Sequence, residues 1–334
     1  MAGRAGRPKF DDYGESVLIA KTQDEKDHLL DNFILAGPER IYSKLAVEAT
    51  LRTHVLATIA TGYASSYQGL LEFFSKTFFA HQQGGDALEW VIDPIVEFLE
   101  DEELIHDERD RLIPTAFGRR TSELYIDPMT AVIMRNAVQR AQENETKEIS
   151  YLHAISKTLE MGALYLRRKD YDFISEEFSL NLPYLLFEDP DESFEYQHYE
   201  EVLSEFKTAL FLMDWIDEKS DEEILERFNI GPGDIRTRVD ISDWLLYSMS
   251  EIGRLFKLKK LDELQKLRVR IRNGVKEELL GIISLKGIGR VRARGLFDAG
   301  FKSLESLKKA EVSDLSKVKG VGPKLAKNIK DQLA

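Results

Sequence analysis

Hydrophobic residues recur along most of the chain at the three- and four-residue spacing of amphipathic helices. In the first third of the chain this spacing predicts helices within residues 45–60, 67–79 and 86–100. Residues 103–115 instead have two short apolar pieces around the charged run Asp107–Arg111, which predicts a β-hairpin. Three helices followed by such a wing are typical of a winged-helix domain, and a plain helical bundle is the alternative.

The middle of the chain, residues 128–258, has helical periodicity almost throughout and is acidic. The periodicity breaks near Pro183, Pro190 and Gly231–Gly233, where turn-forming residues cluster. Such a segment is expected to pack as a helical bundle.

Two capping-box spacings, Thr22 with Glu25 and Ser220 with Glu223, predict helix starts. The apolar run Val17–Ala20 has the length of a strand. We therefore expect a mostly α-helical chain with four regions: the end of a larger domain (1–40), a winged-helix domain (41–127), a helical-bundle domain (128–258) and a C-terminal helical domain (259–334).

Two similar turns lie in the C-terminal region, LKGIGRVRA at 285–293 and VKGVGPKLA at 318–326, which indicates a duplicated unit. Glycines permit backbone angles that aim successive N–H groups outward at a helix start, and these donors with the helix dipole form an anion site. The residues predicted to form it are Gly287, Gly289, Arg290, Arg292, Arg294, Gly320, Gly322 and Lys324. A purely structural corner between helices is the alternative.

The helix that follows Gly231–Gly233, with Asp234 as its predicted N-cap, has an aromatic residue on its polar side. At 100° per residue, its apolar residues fall in one arc and Trp244 lies opposite that arc. The arc consists of Ile235, Val239, Ile241, Leu245, Leu246, Met249, Ile252 and Phe256, and Arg236, Tyr247 and Arg254 flank the indole on the polar side. The indole is expected either to pack beneath a neighbouring domain or to stack on a nucleic-acid base.

The net charge of −13 over 334 residues argues against nucleic acid at first, but the charge is unevenly distributed. Residues 252–334 carry 21 Lys and Arg against 9 Asp and Glu, whereas residues 1–251 carry 25 against 50. A basic end on an acidic body indicates a nucleic-acid-facing end, and a solvated lysine-rich helical tail is the alternative.

The sequence excludes several kinds of chemistry. The chain has no cysteine, so it has no disulfides, thiolate zinc sites or cysteine nucleophiles. It contains no G-x-x-x-x-G-K-[ST] loop for ATP, and its six histidines are too dispersed to predict a metal site. No apolar run reaches membrane-spanning length and the basic start lacks the apolar core of a secretory signal, so we expect a cytoplasmic protein.

Four stretches of the chain resemble, in the same order, segments of one helicase family. GRAGRPKFDDYGESVLIA (3–20) resembles motif VI and the following strand of superfamily-two helicases. LRTHVLATIATGY (51–63) with GRRTSELYIDPMTA (118–131) resembles the winged-helix domain of archaeal Hjm-type DNA helicases, in the ski-two-like branch. Residues 231–252 resemble the ratchet helix of these enzymes, and residues 270–300 their helix-hairpin-helix domain.

The resemblance implies that the chain is the C-terminal half of an ATP-dependent 3′–5′ DNA helicase of replication-fork repair or recombination. Two RecA-like motor domains, which hold ATP and Mg²⁺ in the intact helicase, would precede motif VI. The chain alone should therefore hold no cofactor and should not hydrolyse ATP. The implied partners are these motor domains and single-stranded or branched DNA, with no membrane, and the chain is expected to be a monomer.

The same resemblance implies roles for individual residues. Arg4 and Arg7 would contact the ATP γ-phosphate in the intact motor. Trp244 would stack between bases of the translocating strand while Arg236 or Arg238 holds its backbone, so that the helix acts as a ratchet. The C-terminal hairpins would grip the exiting 3′ tail and act as a brake.

The principal alternative is a non-catalytic scaffold for protein partners, a role that similar helical domains have in RNA-remodelling relatives. The acidic body favours the scaffold, whereas the basic end and Trp244 favour DNA. A repair-type helix-hairpin-helix module unrelated to helicases would leave residues 3–20 and the winged-helix segment unexplained.

Overall fold

The chain divides into two compact units, Met1–Ser43 and Lys44–Ala334. We describe each unit separately, from a computed structural model. The residues that the structure describes are 5–7, 9–37, 39–84, 87–187 and 196–333.

Among its described residues, the first unit contains one α-helix, α1 (Gln23–Leu29), which continues into a π-helical turn at Leu30–Ile34. The predicted capping start is confirmed, because Thr22 Oγ1 accepts a hydrogen bond from the Glu25 amide at 3.2 Å. The strand predicted at Val17–Ala20 is wrong: this segment has no strand partner among the described residues. A strand needs a neighbouring strand to accept and donate its backbone hydrogen bonds, and an apolar run alone does not supply one.

The second unit begins with four helices and a wing, because the segment predicted as one helix within 67–79 forms two helices that are interrupted at Lys76 and Thr77. Its helices are α2 (Glu48–Ala60), α3 (Tyr67–Ser75), α4 (Phe78–Gln83), α5 (Ala87–Asp101) and α6 (Ala116–Leu124). Between α5 and α6, strands β1 (Ile105–Asp107) and β2 (Leu112–Pro114) pair antiparallel with Asp107 opposite Leu112. The predicted hairpin is confirmed, and Arg109 and Asp110 form its turn with positive φ angles.

A larger helical region follows the wing. Its helices are α7 (Pro128–Glu143), α8 (Glu148–Ser156), α9 (Tyr171–Asn181), α10 (Tyr196–Ile216), α11 (Asp221–Phe228), α12 (Pro232–Leu255) and α13 (Leu261–Asn273). The long helix α12 packs against α7 and α13, and α8 packs against α10. A single hydrophobic core runs from Leu51 in α2 to Ile271 in α13, so the winged-helix and helical regions share their apolar interior.

The starts of α11 and α12 test two sequence predictions. The Ser220–Glu223 capping box is confirmed: the Glu223 amide donates to Ser220 Oγ at 3.2 Å, and the Ser220 amide donates to Glu223 Oε2 at 2.8 Å. The prediction of Asp234 as the N-cap of α12 is wrong, because Gly231 is the N-cap and Pro232 occupies the first helical position. Proline is favoured there because its missing N–H would have no intrahelical acceptor.

The C-terminal segment forms its own hydrophobic core, from Val275 to Ile329, separate from the core of the helical region. Its helices are α14 (Leu280–Ile283), α15 (Arg290–Asp298), α16 (Leu304–Lys309), α17 (Val312–Leu315) and α18 (Pro323–Leu333). The mostly α-helical class is thus confirmed, while the four predicted domain boundaries stay predictions. No helix in the described ranges combines the length and apolarity needed to cross a bilayer.

His153 is a buried histidine in the shared core, between the rings of Phe187 and Phe206. Neither ring nitrogen has a hydrogen-bond partner in the described part of the chain. Burial, with a smaller contribution from the charge of nearby Lys157, lowers the pKa of His153 to about 3. The imidazole is therefore neutral in the folded protein at pH values where an unfolded chain would protonate it.

Acid should consequently destabilise the fold through His153. Because the folded pKa lies below the unfolded value of about 6.5, the unfolded chain binds more protons than the folded chain below pH 6.5. Well below that pH, the free energy of unfolding therefore falls by about 1.4 kcal/mol for each unit that the pH is lowered. His153→Leu should reduce the loss of unfolding free energy between pH 6.5 and 4.5 by roughly 2.3 kcal/mol in urea titrations. His54→Gln, at an exposed histidine of α2, is the control. An unchanged pH dependence in His153→Leu would contradict the prediction.

Candidate nucleic-acid interface

Trp244 lies on the polar side of α12, but its indole is half-buried and not fully exposed. The ring packs against the edge of the shared core, and Nε1 donates a hydrogen bond to the Leu124 carbonyl at the end of α6, at 3.1 Å. Packing beneath a neighbouring region, one of the two arrangements expected, is therefore present. Base stacking by the indole stays a prediction, because part of the side chain remains accessible.

Tyr247 lies one turn after Trp244 and is held by two arginines from other helices. Arg120 of α6 donates to Tyr247 Oη at 3.4 Å, and the Arg268 guanidinium of α13 lies 4.7 Å from the centre of the Tyr247 ring. Arg120 also forms an ion pair with Glu251 on α12. These contacts fix the tyrosine ring on the outer side of α12.

The three arginines predicted on α12 do not share one environment. Arg236 is exposed and pairs with Asp240 at 2.9 Å, and Arg254 is exposed and pairs with Glu251. Arg238 projects toward the other side of the helix and is half-buried. Its Nε is buried and has no acceptor among the residues described. Arg236 and Arg254 therefore share the Trp244 side of α12, whereas Arg238 does not.

The two glycine turns have the backbone geometry that the sequence predicts. Gly287 and Gly320 have φ angles of +87° and +84°, which non-glycine residues rarely adopt. Gly289 is the N-cap of α15, and Gly322 precedes α18. All four glycines are exposed, and within the described ranges their N–H groups have no hydrogen-bond acceptor. These amides are therefore available to an external acceptor.

Arg292 joins the two turns instead of projecting freely into solvent. Its Nε donates to the Gly320 carbonyl at 2.9 Å and its Nη1 to the Gly287 carbonyl at 2.8 Å. A Cβ at Gly320 would lie 3.7 Å from Arg292, and a Cβ at Gly287 would lie 3.1 Å from Leu325, the equivalent residue of the second copy. The two copies thus contact each other reciprocally, as expected of a duplicated unit, and their turns lie side by side.

Arg290 and Arg294 contact the helical region. Arg294 binds both carboxylate oxygens of Glu218, at 2.7 and 2.8 Å, and these hydrogen bonds raise its pKa. The Arg290 guanidinium lies 4.9 Å from the centre of the Trp215 ring and donates to the Lys219 carbonyl, and burial lowers its pKa. Both side chains thus hold the C-terminal segment to the end of α10, and the phosphate contacts predicted for them stay predictions.

Lysines provide the accessible positive charge beside the turns. Lys324, two residues after Gly322, is exposed and has no ion-pair partner among the residues that the structure describes. Lys319 and Lys327 are also exposed. The exposed amides therefore lie on a cationic surface.

Of the two arginines assigned to an ATP contact, Arg4 lies outside the described residues. Arg7 is exposed, pairs with Asp11 at 3.2 Å and lies 5.2 Å from the Phe10 ring centre. Its contact with ATP stays a prediction. Across the described residues, no three His, Asp or Glu side chains come together to hold a metal ion.

Sequence reasoning missed Arg120, Arg268 and Arg272, which border the polar side of α12. Arg268 and Arg272 both bind Asp243 of α12, at 2.8 Å. The run RVRIR at 268–272 signalled positive charge, but helix periodicity alone does not reveal which neighbouring helix it faces.

Three family models match the chain. "Archaeal helicase, domain 4" matches residues 149–274, "SAM-like Helix-hairpin-helix tandem" matches 277–334, and "Helix-turn-helix domain" matches 14–106. These matches confirm the predicted arrangement of a winged-helix region, a helical region and a helix-hairpin-helix region.

Several curated relatives are similar over nearly the whole chain, each described as "ATP-dependent DNA helicase Hel308". The protein of Methanocella arvoryzae is 42% identical over 100% of this chain and 45% of its own length. The proteins of Thermococcus kodakarensis and Pyrococcus abyssi are 40% and 37% identical over 98% of this chain, and over 29% and 46% of their own lengths. The chain therefore spans less than half the length of these relatives.

Proposed function

Because the chain matches the C-terminal half of a Hel308-type helicase, we propose that it is the DNA-binding and translocation region of an ATP-dependent 3′–5′ DNA helicase of replication-fork repair or recombination. Its ligand would be single-stranded or branched DNA. It would act as a monomer in the cytoplasm.

The observation that carries this proposal is the pair of adjacent glycine turns. Their exposed amides at Gly287, Gly289, Gly320 and Gly322 match the hydrogen-bonding needs of phosphate oxygens, and Lys324 adds a positive charge. Such contacts recognise the phosphate backbone without reading bases. Arg292 would contribute by fixing the spacing of the two turns, and Arg290 and Arg294 by anchoring the segment that carries them.

The polar side of α12 would provide the second contact with the strand. The accessible part of the Trp244 indole would stack on a base, and Arg236, Tyr247 and Arg254 lie on the same side for contacts with the backbone. Arg238 would contact the DNA strand only if the DNA also reached the opposite side of α12.

The motor domains would be the protein partner of the first unit. Within Met1–Ser43, large apolar side chains including Phe10, Val17, Ile19 and Phe33 are more than 60% exposed. An apolar surface of this kind is typical of a region that another domain covers. ATP and Mg²⁺ would be held by the motor domains, where Arg4 and Arg7 would meet the γ-phosphate.

The test is binding of the chain to labelled single-stranded DNA, measured by fluorescence anisotropy in a salt series. We expect affinity to fall steeply as salt rises, because bound phosphates release counterions. Trp244→Ala should weaken binding about 5- to 150-fold, the value of roughly 1–3 kcal/mol for one stacked base. Lys324→Gln should reduce the salt slope by about 0.7, the contribution of one phosphate contact on a single strand.

The control is Lys76→Gln, at an exposed lysine of α3 that pairs with Glu72. This variant should bind as the wild-type chain does. Weak, salt-independent binding that neither Trp244→Ala nor Lys324→Gln changes would contradict the proposal and favour the scaffold function.

One observation does favour a protein partner at the winged-helix region. Trp90 on α5 is 84% exposed, and the neighbouring Glu89, Asp93 and Glu97 are exposed as well. These carboxylates would repel phosphates, so this side of α5 suits a basic protein surface better than DNA.

A further inference from the structure

A groove of about 260 Å³ lies between α12 and α13, next to the polar side of α12 that carries Trp244. Tyr247 and Arg254 contribute to it from α12, and Arg268, Val269 and Arg272 from α13. Its wall thus combines an aromatic ring, an apolar side chain and three guanidinium groups.

The groove is positively charged even after its internal ion pairs are counted. Among its charged lining residues, Glu251 is the one acid within the described chain, against three arginines. Asp243 at the edge binds both Arg268 and Arg272, so one carboxylate is shared by two guanidinium groups. Arg272 remains more than half exposed despite this contact. Positive charge therefore remains available to an anion.

Arg268, which stacks on the Tyr247 ring, gives the groove a fixed geometry. Arg268 lies 4.7 Å from the Tyr247 ring centre and also binds Asp243 Oδ1 at 2.8 Å, so its guanidinium has little freedom. A planar guanidinium held in this way can bind a phosphate or stack on a base with little further loss of side-chain entropy.

In chain order, the groove lies between the two sites already described. Arg272 is followed by Asn273, the last residue of α13, and by Gly274, and the core of the glycine-turn region begins at Val275. The end of α13 that carries Arg272 therefore joins the groove to the glycine-turn region along the chain.

We propose that the groove between α12 and α13 binds the phosphate backbone of single-stranded DNA, with Arg268 and Arg272 as phosphate contacts. This inference rests on the proposed function and adds a third contact region to it. The groove carries the strand between Trp244 and the glycine turns.

The test compares the wild-type chain with Arg268→Gln/Arg272→Gln in the same anisotropy assay. Each phosphate contact on a single strand contributes about 0.7 to the salt slope, so the slope should decrease by roughly 1.4. At about 0.1 M salt, this corresponds to a loss of affinity of roughly 25-fold. Arg227→Gln, which removes an arginine paired with Asp214 on another helix, should have no effect.

Two further variants separate the charge from the fold. Arg268→Lys/Arg272→Lys retains both positive charges, so it should restore most of the salt slope. Asp243→Asn removes the carboxylate that competes with the phosphates, and it should tighten binding by about fivefold. A purely structural role predicts the opposite for Asp243→Asn, because loss of an ion pair between α12 and α13 would loosen the groove.

The outcomes distinguish this inference from the proposed function. If Trp244→Ala and Lys324→Gln weaken binding while the Arg268 and Arg272 variants and Asp243→Asn leave it unchanged, the groove does not bind DNA and the proposed function stands. If the wild-type chain shows no salt-dependent binding, both are overturned.

Discussion

Replacing Arg52 with alanine should destabilise the second unit by about 3–5 kcal/mol, the cost of removing one partner of a buried ion pair. Arg52 in α2 is 6% exposed, and it binds Asp127 Oδ1 through Nη2 at 2.9 Å and through Nε at 3.2 Å. Asp127 caps α7 and is 7% exposed, so without Arg52 its charge would remain buried. Urea denaturation followed by tryptophan fluorescence measures the loss.

The destabilisation in Arg52→Ala arises at the junction of the winged-helix region and the helical region, which share one core. The Asp127 amide also donates to Glu160 at 2.8 Å, so the Arg52 contact links the winged-helix region to a network in the helical region. Because the core is continuous across this junction, both regions should lose stability together.

Two variants test that explanation. Lys76→Ala removes an exposed pair with Glu72 and should cost no more than about 0.5 kcal/mol. Arg52→Met/Asp127→Asn removes both charges, and asparagine keeps the N-cap of α7. The double variant should therefore lose less unfolding free energy than the sum of the losses in the two single variants. A loss below about 1 kcal/mol in Arg52→Ala would contradict the assignment of a buried ion pair.

Local sequence signals predicted much of the fold. The Ser220–Glu223 capping box, the β1–β2 wing and the positive-φ glycines of both turns are all present, because each depends on neighbours within a few residues. The resemblance to a helicase family agreed with the relatives later found over the whole chain. The wrong prediction of Asp234 as an N-cap also had a local cause, because Pro232, two residues earlier, already occupies the first helical position.

The sequence patterns did not predict which distant segments contact each other. Periodicity placed Trp244 on the polar side of α12, but it did not indicate that Leu124, 120 residues earlier, accepts its N–H. Charge counting placed Arg290 and Arg294 among exposed basic residues, whereas Lys219 and Glu218 bind them. A guanidinium is suited to a carboxylate, a carbonyl and a phosphate alike, so its partner depends on tertiary packing.

Buried ions were also unpredictable from composition. Lys207 is 1% exposed and binds Asp170 at 2.7 Å, although lysines are seldom found in a core. Burial alone would raise the pKa of Asp170, but hydrogen bonds from Arg167 and Lys207 lower it to about 2. Only the folded arrangement brings these three side chains together.

Gly274→Ala should destabilise the chain by roughly 2–5 kcal/mol and weaken DNA binding, because this glycine connects α13 to the glycine-turn region. Its φ angle is +61°, and a Cβ there would lie 2.7 Å from two atoms of the Trp215 ring. The indole has little room to yield, since its Nε1 donates to the Ile271 carbonyl at 2.7 Å and Arg290 stacks on it. Thermal unfolding and DNA anisotropy measure the two effects.

Gly162→Ala separates backbone strain from the clash with the indole. Gly162 has a φ of +59° and open space around its Cα, so this variant should cost only the left-handed conformation, about 1–2 kcal/mol, and leave DNA binding unchanged. In a Trp215→Leu background, Gly274→Ala should likewise cost only that amount, because the ring is gone. Equal losses in Gly162→Ala and Gly274→Ala would mean that Trp215 does not fix the position of the glycine-turn region.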